Sequence, residues 1–180
     1  MKGLERRLAA GLAPDVPSVA SVFISRWDRA VTDKLPAELQ NKLGIAVAEQ
    51  AYKSYRELLR SDRWQALQNC GARAQRLLYA STSMKNPNAS DVLYIEALAS
   101  PHTVNTMPEG TLKAFADHGK VGALVPEDGG DSESALAAHA KQGIDADKLA
   151  AKLQEDGAKA FVDSWKDLLK TIDTKSKALK

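Results

Sequence analysis

The sequence predicts an α/β fold with about three parallel strands and extra helices towards the C-terminal end. Three short runs, at residues 19–25, 76–82 and 102–107, have the length and composition of strands. Helical patterns separate these runs, and such alternation is typical of parallel βαβ units. Polar residues follow the runs, as in an α/β barrel, where functional groups gather at the carboxyl ends of the strands. Three strands form only part of a (β/α)8 barrel, which has eight strands in about 250 residues.

The three strand predictions rest on short, mainly apolar runs. The run at residues 19–25 is rich in β-branched residues and follows Pro14 and Pro17, which favours a buried strand over a helix. Residues 76–82 form a second apolar run of similar length. Residues 102–107 are the weakest candidate, because His102 and Asn105 are polar.

Helical patterns fill most of the remaining chain. Pro36 suits a first helical turn, and apolar residues then recur about every four positions, which predicts one long helix. The apolar stripe consists of Leu39, Leu43, Val47, Ala51, Tyr55 and Leu58. Further helices are predicted at residues 62–69, 91–98, 109–118, 132–142 with Asp131 as cap, and 146–155 with Asp145 as cap. Gly157 is expected to interrupt the last pattern before a final helix whose apolar face holds Phe161, Trp165, Leu168 and Leu169.

Composition argues against several classes of protein. The 180 residues carry 25 basic and 23 acidic side chains, and these are interspersed without the basic block that indicates nucleic-acid binding. A single cysteine, Cys70, permits no internal disulfide and fits a reducing cytoplasm. No apolar run reaches the roughly 18 residues of a membrane span, and residues 1–10 lack the apolar stretch of a signal peptide. We therefore expect a cytoplasmic globular protein without nucleic-acid or membrane partners.

Two cations and a serine follow the first two predicted strands. Arg26 comes directly after the first strand, and Ser83 and Lys85 come after the second. An arginine can hold phosphate oxygens through two hydrogen bonds, a lysine adds a mobile charge and a serine adds one hydrogen bond. The pattern indicates either a phosphate site at the mouth of a parallel sheet or surface cations that end two strands.

Ser21 and the three histidines are further polar candidates for a site. Ser21 alternates with Phe23 and Ser25, so the three are predicted to share one face, where Ser21 either contacts a substrate hydroxyl or is a small packed residue. The three histidines lie far apart and lack the spacing of metal ligands, so no metal site is expected.

Four stretches of the chain resemble transaldolases, and they look most like the longer bacterial members. They are SVASVFISRWD at residues 18–28, ASTSMKNP at residues 80–87 with its continuation to residue 94, HTVNTMP at residues 102–108, and GID at residues 143–145 followed by residues 157–169. They occur in the family's order over about residues 18–169, and the second and third are together the most specific.

The resemblance implies an α/β barrel that transfers a dihydroxyacetone unit between sugar phosphates, such as fructose 6-phosphate and sedoheptulose 7-phosphate, in the non-oxidative pentose phosphate pathway. It implies a Schiff base between a barrel lysine and the ketose donor, and no metal or organic cofactor. Arg26 matches the phosphate-binding arginine after the family's sixth strand, and Ser21 matches the serine of that strand that contacts the donor's hydroxyl end. Ser83 and Lys85 match the phosphate-binding pair after the seventh strand, where many relatives have arginine in place of Lys85.

The resemblance covers the C-terminal half of the family's barrel, so residues 1–180 are expected to form a single partial domain. The family's Schiff-base lysine lies upstream of anything that matches Met1, and Lys85 does not replace it because it matches the phosphate site. Three interpretations follow. The chain is part of a transaldolase that pairs with an N-terminal half-barrel, or a non-catalytic sugar-phosphate-binding or assembly module, or a helical interaction protein in which the first two strand runs are helices.

Overall fold

The computed structural model describes residues 1–179 and confirms an α/β fold with three parallel strands. The chain divides into two compact units, Met1–Gln142 and Gly143–Lys180, which are described separately. The strands are β1 (Val19–Phe23), β2 (Arg76–Ala80) and β3 (Thr103–Asn105). The α-helices are α1 (Lys2–Ala9), α2 (Ser25–Val31), α3 (Leu43–Arg60), α4 (Asp62–Asn69), α5 (Leu93–Ala97), α6 (Glu109–His118), α7 (Ser132–Lys141) and α8 (Ala146–Ala178).

The three strands form one sheet in the order β1-β2-β3. Both pairs are parallel, with Val19 opposite Arg76 and Leu77 opposite Thr103. Helices α2, α3 and α4 connect β1 to β2, and α5 connects β2 to β3, as expected of βαβ units. Because the first two runs are strands, the interpretation of the chain as a helical interaction protein is wrong.

The hydrophobic core lies between the sheet and the helices on one of its faces. Leu77 and Tyr79 of β2 are buried in the same cluster as Ala48 and Tyr52 of α3. The remaining buried members of this cluster are Ile24, Tyr94, Leu98 and Val125. Burial of large apolar and aromatic side chains is the main stabilising contribution here, at about 25 cal/mol for each Å² removed from water.

The opposite face of the sheet remains accessible to solvent. Val19 is 45% exposed, Ser21 is exposed and Leu78 is only partly buried. Parallel sheets normally have both faces covered by other layers. The unit Met1–Gln142 therefore contains one covered face of a parallel sheet and one bare face.

The helix-covered face of the sheet borders an apolar cleft of about 550 Å³, and Leu77 of β2 is part of its lining. Leu4 of α1, Ala20 of β1 and Leu58 of α3 are among its walls. Within residues 1–179, β1 pairs only with β2, so the backbone groups of its other edge have no strand partner. Glu5 of α1 and Arg63 of α4 form a two-bond ion pair, at 2.6 and 2.7 Å, beside this cleft.

Helix α3 begins later than predicted and buries a different side. Short 3-10 turns occupy Thr32–Lys34 and Ala37–Leu39, and Asn41 has a left-handed φ of 61° before the helix starts. The buried positions are Leu43, Gly44, Ala46, Ala48 and Tyr52, whereas Leu58 of the predicted stripe is exposed. Small residues at Gly44 and Ala48 let the helix approach the strand ends closely, and this decides which side faces the core.

Helix α8 runs continuously through Gly157, so the predicted interruption there is wrong. A glycine inside a helix costs only about 1 kcal/mol relative to alanine, which a long helix tolerates. Ion pairs one turn apart, Lys152–Asp156 and Lys159–Asp163, stand on either side of this glycine. The exposed apolar residues of α8 are Phe161, Val162, Trp165, Leu168, Leu169 and Ile172. No helix among residues 1–179 has the length and apolar character needed to cross a bilayer.

Of the two aspartates predicted to cap helices, Asp145 does so through its side chain and Asp131 does not. Asp145 accepts a hydrogen bond from the backbone N–H of Lys148 at 3.0 Å, which confirms it as the cap of α8. The side chain of Asp131 makes no such bond, and its backbone (φ −91°, ψ 9°) lacks the extended conformation typical of a cap. At the start of α7 the Ser132 hydroxyl donates to the carbonyl of Gly129 instead.

Glu49 of α3 gives this fold a specific pH dependence. Burial, and then repulsion from Asp131 next to α7, raises the pKa of Glu49 from an ordinary 4.5 to about 7. The folded state thus binds a proton more tightly than the unfolded state, so stability falls as pH rises from about 4.5 through 7. We expect Glu49→Gln to be more stable than the wild type at pH 8 but not at pH 5, as measured by thermal unfolding. Glu57→Gln makes the same substitution at an exposed position of the same helix, so it is the matched control.

Candidate functional site

The candidate site lies where β1 and β2 end side by side. The N–H of Ile24 donates to the carbonyl of Ala80 at 2.8 Å, and the N–H of Ser25 donates to that of Ser81 at 3.0 Å. Arg26 comes directly after Ser25, and Ser83 and Lys85 come shortly after Ser81. The parallel register therefore brings Arg26 and the loop of Ser83 and Lys85 to the same end of the sheet, where the carboxyl ends of the strands lie.

Arg26 lies in the first turn of α2 with its charge available. The centre of its guanidinium lies 4.3 Å from the centroid of the Phe23 ring, which is a cation–π contact. Among residues 1–179 it forms no ion pair with a carboxylate. An arginine that is held in place but not neutralised is suited to binding an anion.

Lys85 and Ser83 occupy the loop after β2. Lys85 is exposed and lines a polar pocket of about 470 Å³, whereas Ser83 is partly buried and does not line that pocket. Ser25, Asn86 and Tyr94 are also part of the lining. Arg26 and Ser21 do not line this pocket either, so Lys85 is the one residue of the four predicted for the site that does.

Ser21 lies on β1, and its face of the sheet is the bare one. Phe23 shares that face, but Ser25 does not, because β1 ends at Phe23 and Ser25 begins α2. The prediction that Ser25 continues the strand is therefore wrong. The Ser25 hydroxyl is instead 2.9 Å from that of Ser81, whose left-handed φ of 58° ends β2 earlier than predicted.

Sequence reasoning missed Asp28, a carboxylate that lies two residues after Arg26. Asp28 is only 3% exposed, and it accepts hydrogen bonds from the N–H groups of Leu43 and Gly44 at the start of α3. The hydroxyl of Tyr94 donates to it at 2.8 Å. Burial raises the pKa of Asp28, while these hydrogen bonds act against that rise. The only signal in the sequence was an aspartate two positions after the arginine.

No lysine of residues 1–179 lies in the environment that a Schiff-base lysine requires. Such a lysine needs a desolvated pocket that lowers its pKa. All described lysines are exposed except Lys53, which is partly buried and bonded to Glu133 at 2.8 Å. That ion pair raises the pKa of Lys53, which is the opposite of what is required. None of the three strands carries a lysine.

The described residues contain no group of three or more histidine, cysteine, aspartate or glutamate side chains placed to hold a metal ion. The histidines are scattered instead. His139 is buried in α7, and His118 is exposed beside Asp91.

The parallel sheet and the polar groups at its carboxyl edge define part of a (β/α)8 barrel protein. Comparison with known proteins identifies the family. The model of the Transaldolase/Fructose-6-phosphate aldolase family matches residues 4–172, so the chain belongs to that family.

Individual relatives agree with the family model. The chain is 44% identical over 169 residues to the transaldolase of Neisseria meningitidis serogroup C / serotype 2a strain FAM18, which covers 93% of this chain and 48% of the relative. It is 45% identical over 181 residues to the transaldolase of Parafrankia sp. strain EAN1pec (96% and 49%) and 41% identical over 179 residues to that of Mycobacterium bovis strain BCG / Pasteur 1173P2 (94% and 48%). The chain thus spans about half the length of the curated relatives it matches.

Proposed function

We propose that this chain supplies the phosphate-binding end of a transaldolase active site, in an enzyme that transfers a dihydroxyacetone unit between sugar phosphates in the non-oxidative pentose phosphate pathway. The observation that carries the proposal is the guanidinium of Arg26, which forms no ion pair among residues 1–179 and lies at the same carboxyl end of the sheet as Ser83 and Lys85. Membership of the family and the names of the relatives support the class of substrate. Fructose 6-phosphate and sedoheptulose 7-phosphate are the donors we propose.

Each site residue has a distinct role in this proposal. Arg26 binds two phosphate oxygens through its planar guanidinium, and Lys85 adds a second positive charge from an exposed, mobile side chain. Ser83 donates one hydrogen bond to the phosphate. Ser21, on the bare face of the sheet, contacts the hydroxyl end of the donor. Together they hold a negatively charged substrate by one end and orient its carbonyl.

The lysine that forms the Schiff base is not in this chain in our proposal. The exposure of the described lysines and the lack of a lysine on any strand support this assignment. Residues 1–180 then act as a single partial domain that pairs with an N-terminal half-barrel. The bare sheet face and the unpaired edge of β1 support such a partner.

Reductive trapping tests which of the two halves carries the lysine that forms the Schiff base. The purified chain, shown by circular dichroism to be folded, is treated with fructose 6-phosphate and borohydride and weighed by mass spectrometry. We expect no adduct, because no described lysine is buried enough to react as a Schiff base. When a polypeptide with the part of the Neisseria meningitidis relative that precedes the matched region is added, we expect one adduct, on the added polypeptide.

The two halves serve as each other's controls in this experiment. An adduct on this chain would contradict the assignment of the lysine to the other half. No adduct on either polypeptide, in a mixture shown to have assembled, would favour the alternative function, a non-catalytic sugar-phosphate-binding or assembly module. The solvent exposure of the described lysines is expected of this alternative as well as of the main proposal, so the trapping experiment is what separates them.

A further inference from the structure

Arg26 is flanked by two residues that are anchored on opposite sides. Ser25, 2% exposed, is bonded through its backbone and its hydroxyl to Ser81 in the loop after β2. Asp28, on the other side, is bonded to α3 and α5. Four consecutive residues, 25–28, thus have both of their ends fixed while Arg26 remains partly exposed between them.

The anchor at Asp28 combines three contacts on one buried carboxylate. The backbone N–H groups of Leu43 and Gly44 lie 3.0 and 3.3 Å from its oxygens, and the hydroxyl of Tyr94 lies at 2.8 Å. The N-terminal N–H groups of a helix carry partial positive charge, so they hold a carboxylate well. No side chain next to α3 caps it, so Asp28 does this across 15 residues of sequence.

Gly44 makes this contact possible. A Cβ atom at position 44 would lie 2.6 Å from the carbonyl oxygen of Ile24 and 2.7 Å from Oδ2 of Asp28. Ile24 is also the residue through which β1 leads into α2. The start of α3 is therefore packed directly against the backbone turn that carries Arg26.

We propose that Asp28 is a positioning residue that holds Arg26 in its anion-binding orientation by fixing the first turn of α2 to α3 and to Tyr94. This inference deepens the proposed function, because the anion is the phosphate of the sugar substrate. A displacement of a binding group by about 1 Å can cost two orders of magnitude in rate. A rigid second layer of hydrogen bonds is the usual means of preventing such displacement.

The experiment follows Arg26 by NMR and binding by titration. In the wild-type chain the Nε–H proton of Arg26, identified by its loss in Arg26→Lys, should be shifted upfield by the ring of Phe23. In Asp28→Asn we expect this signal to move towards that of a free arginine side chain, and the Kd for inorganic phosphate to rise about tenfold. Tyr94→Phe removes one of the three contacts, so it should change the Arg26 signal and the Kd for phosphate in the same directions but by smaller amounts.

A core variant separates positioning from general loss of stability. Leu67→Ala lies in a different cluster with Trp64 and Ala72, and it should lower the melting temperature without moving the Arg26 signal or the phosphate affinity. Folded Asp28→Asn with both readouts unchanged would overturn the proposal. If Asp28→Asn does not fold, Tyr94→Phe decides by the same criterion. If the wild-type chain binds no phosphate even when assembled with the N-terminal half-barrel, the proposed function fails, whereas the Arg26 signal still decides whether Asp28 positions it.

Discussion

Replacing Arg26 with alanine should weaken the binding of fructose 6-phosphate at least about tenfold. In the role we propose for Arg26, the substitution removes a charge-assisted, two-bond contact with phosphate, and hydrogen bonds to charged groups contribute roughly 1.5–3 kcal/mol each. The measurement is calorimetric titration of the chain assembled with the proposed N-terminal half-barrel. Because Arg26 makes no ion pair among residues 1–179, its loss should leave no buried charge without a partner and should change stability little.

Two variants calibrate the Arg26 result. Arg26→Lys keeps the charge but loses the planar pair of donors, so its affinity should fall between those of the wild type and the alanine variant. Arg73→Ala removes the same side chain near the start of β2, at the opposite end of the sheet, where it is paired with Asp15. Unchanged affinity in Arg26→Ala, or an equal loss in Arg73→Ala, would remove the role we assign to Arg26.

The substitution Gly44→Ala should lower the free energy of unfolding by about 3 kcal/mol, since overpacked sites rarely relax fully. The added methyl would lie 2.6 Å from a backbone oxygen of Ile24, which cannot move without shifting β1. It would also displace the carboxylate of Asp28 and leave that buried group with poorer hydrogen bonds. Urea unfolding measured by circular dichroism gives the change in free energy directly.

The matched control for Gly44 is Gly110. Both are the second residue of an α-helix, but a Cβ atom at Gly110 would have no neighbour within 4 Å. Gly110→Ala should therefore be neutral or stabilising by up to about 1 kcal/mol, because alanine favours the helix. Equal free energies of unfolding for the two variants would contradict the close contact between position 44 and the carbonyl oxygen of Ile24.

Much of the fold could be predicted because its strands are short apolar runs between helical patterns. The starts of β1 and β2 are at the predicted residues, and α4 and α6 have the predicted bounds. The strand ends could not be predicted, because they depend on Ser25 bonding to Ser81 across 56 residues. Helix α1 was not predicted, since its apolar residues are few and its ion pair joins it to Arg63, which is distant in sequence.

The part of the candidate site that could be predicted consists of residues that come just after strands. Arg26, Ser83 and Lys85 come after apolar runs, and parallel pairing alone brings the ends of neighbouring strands together. The role of each of these residues remains a prediction. Asp28 could not be found this way, because its partners, Leu43, Gly44 and Tyr94, lie 15 to 66 residues away and carry no motif.

The sheet edges also limit the ways in which copies of this chain could pair through their strands. The sheet of residues 1–179 has two different outer edges, one on β1 and one on β3, and both lack a strand partner in that range. A contact between two β1 edges related by twofold symmetry is antiparallel and stops at a dimer. A contact from β3 of one copy to β1 of the next is head-to-tail, so it either closes as a ring or continues as a filament. A complementary half-barrel that occupies both edges would leave neither route open.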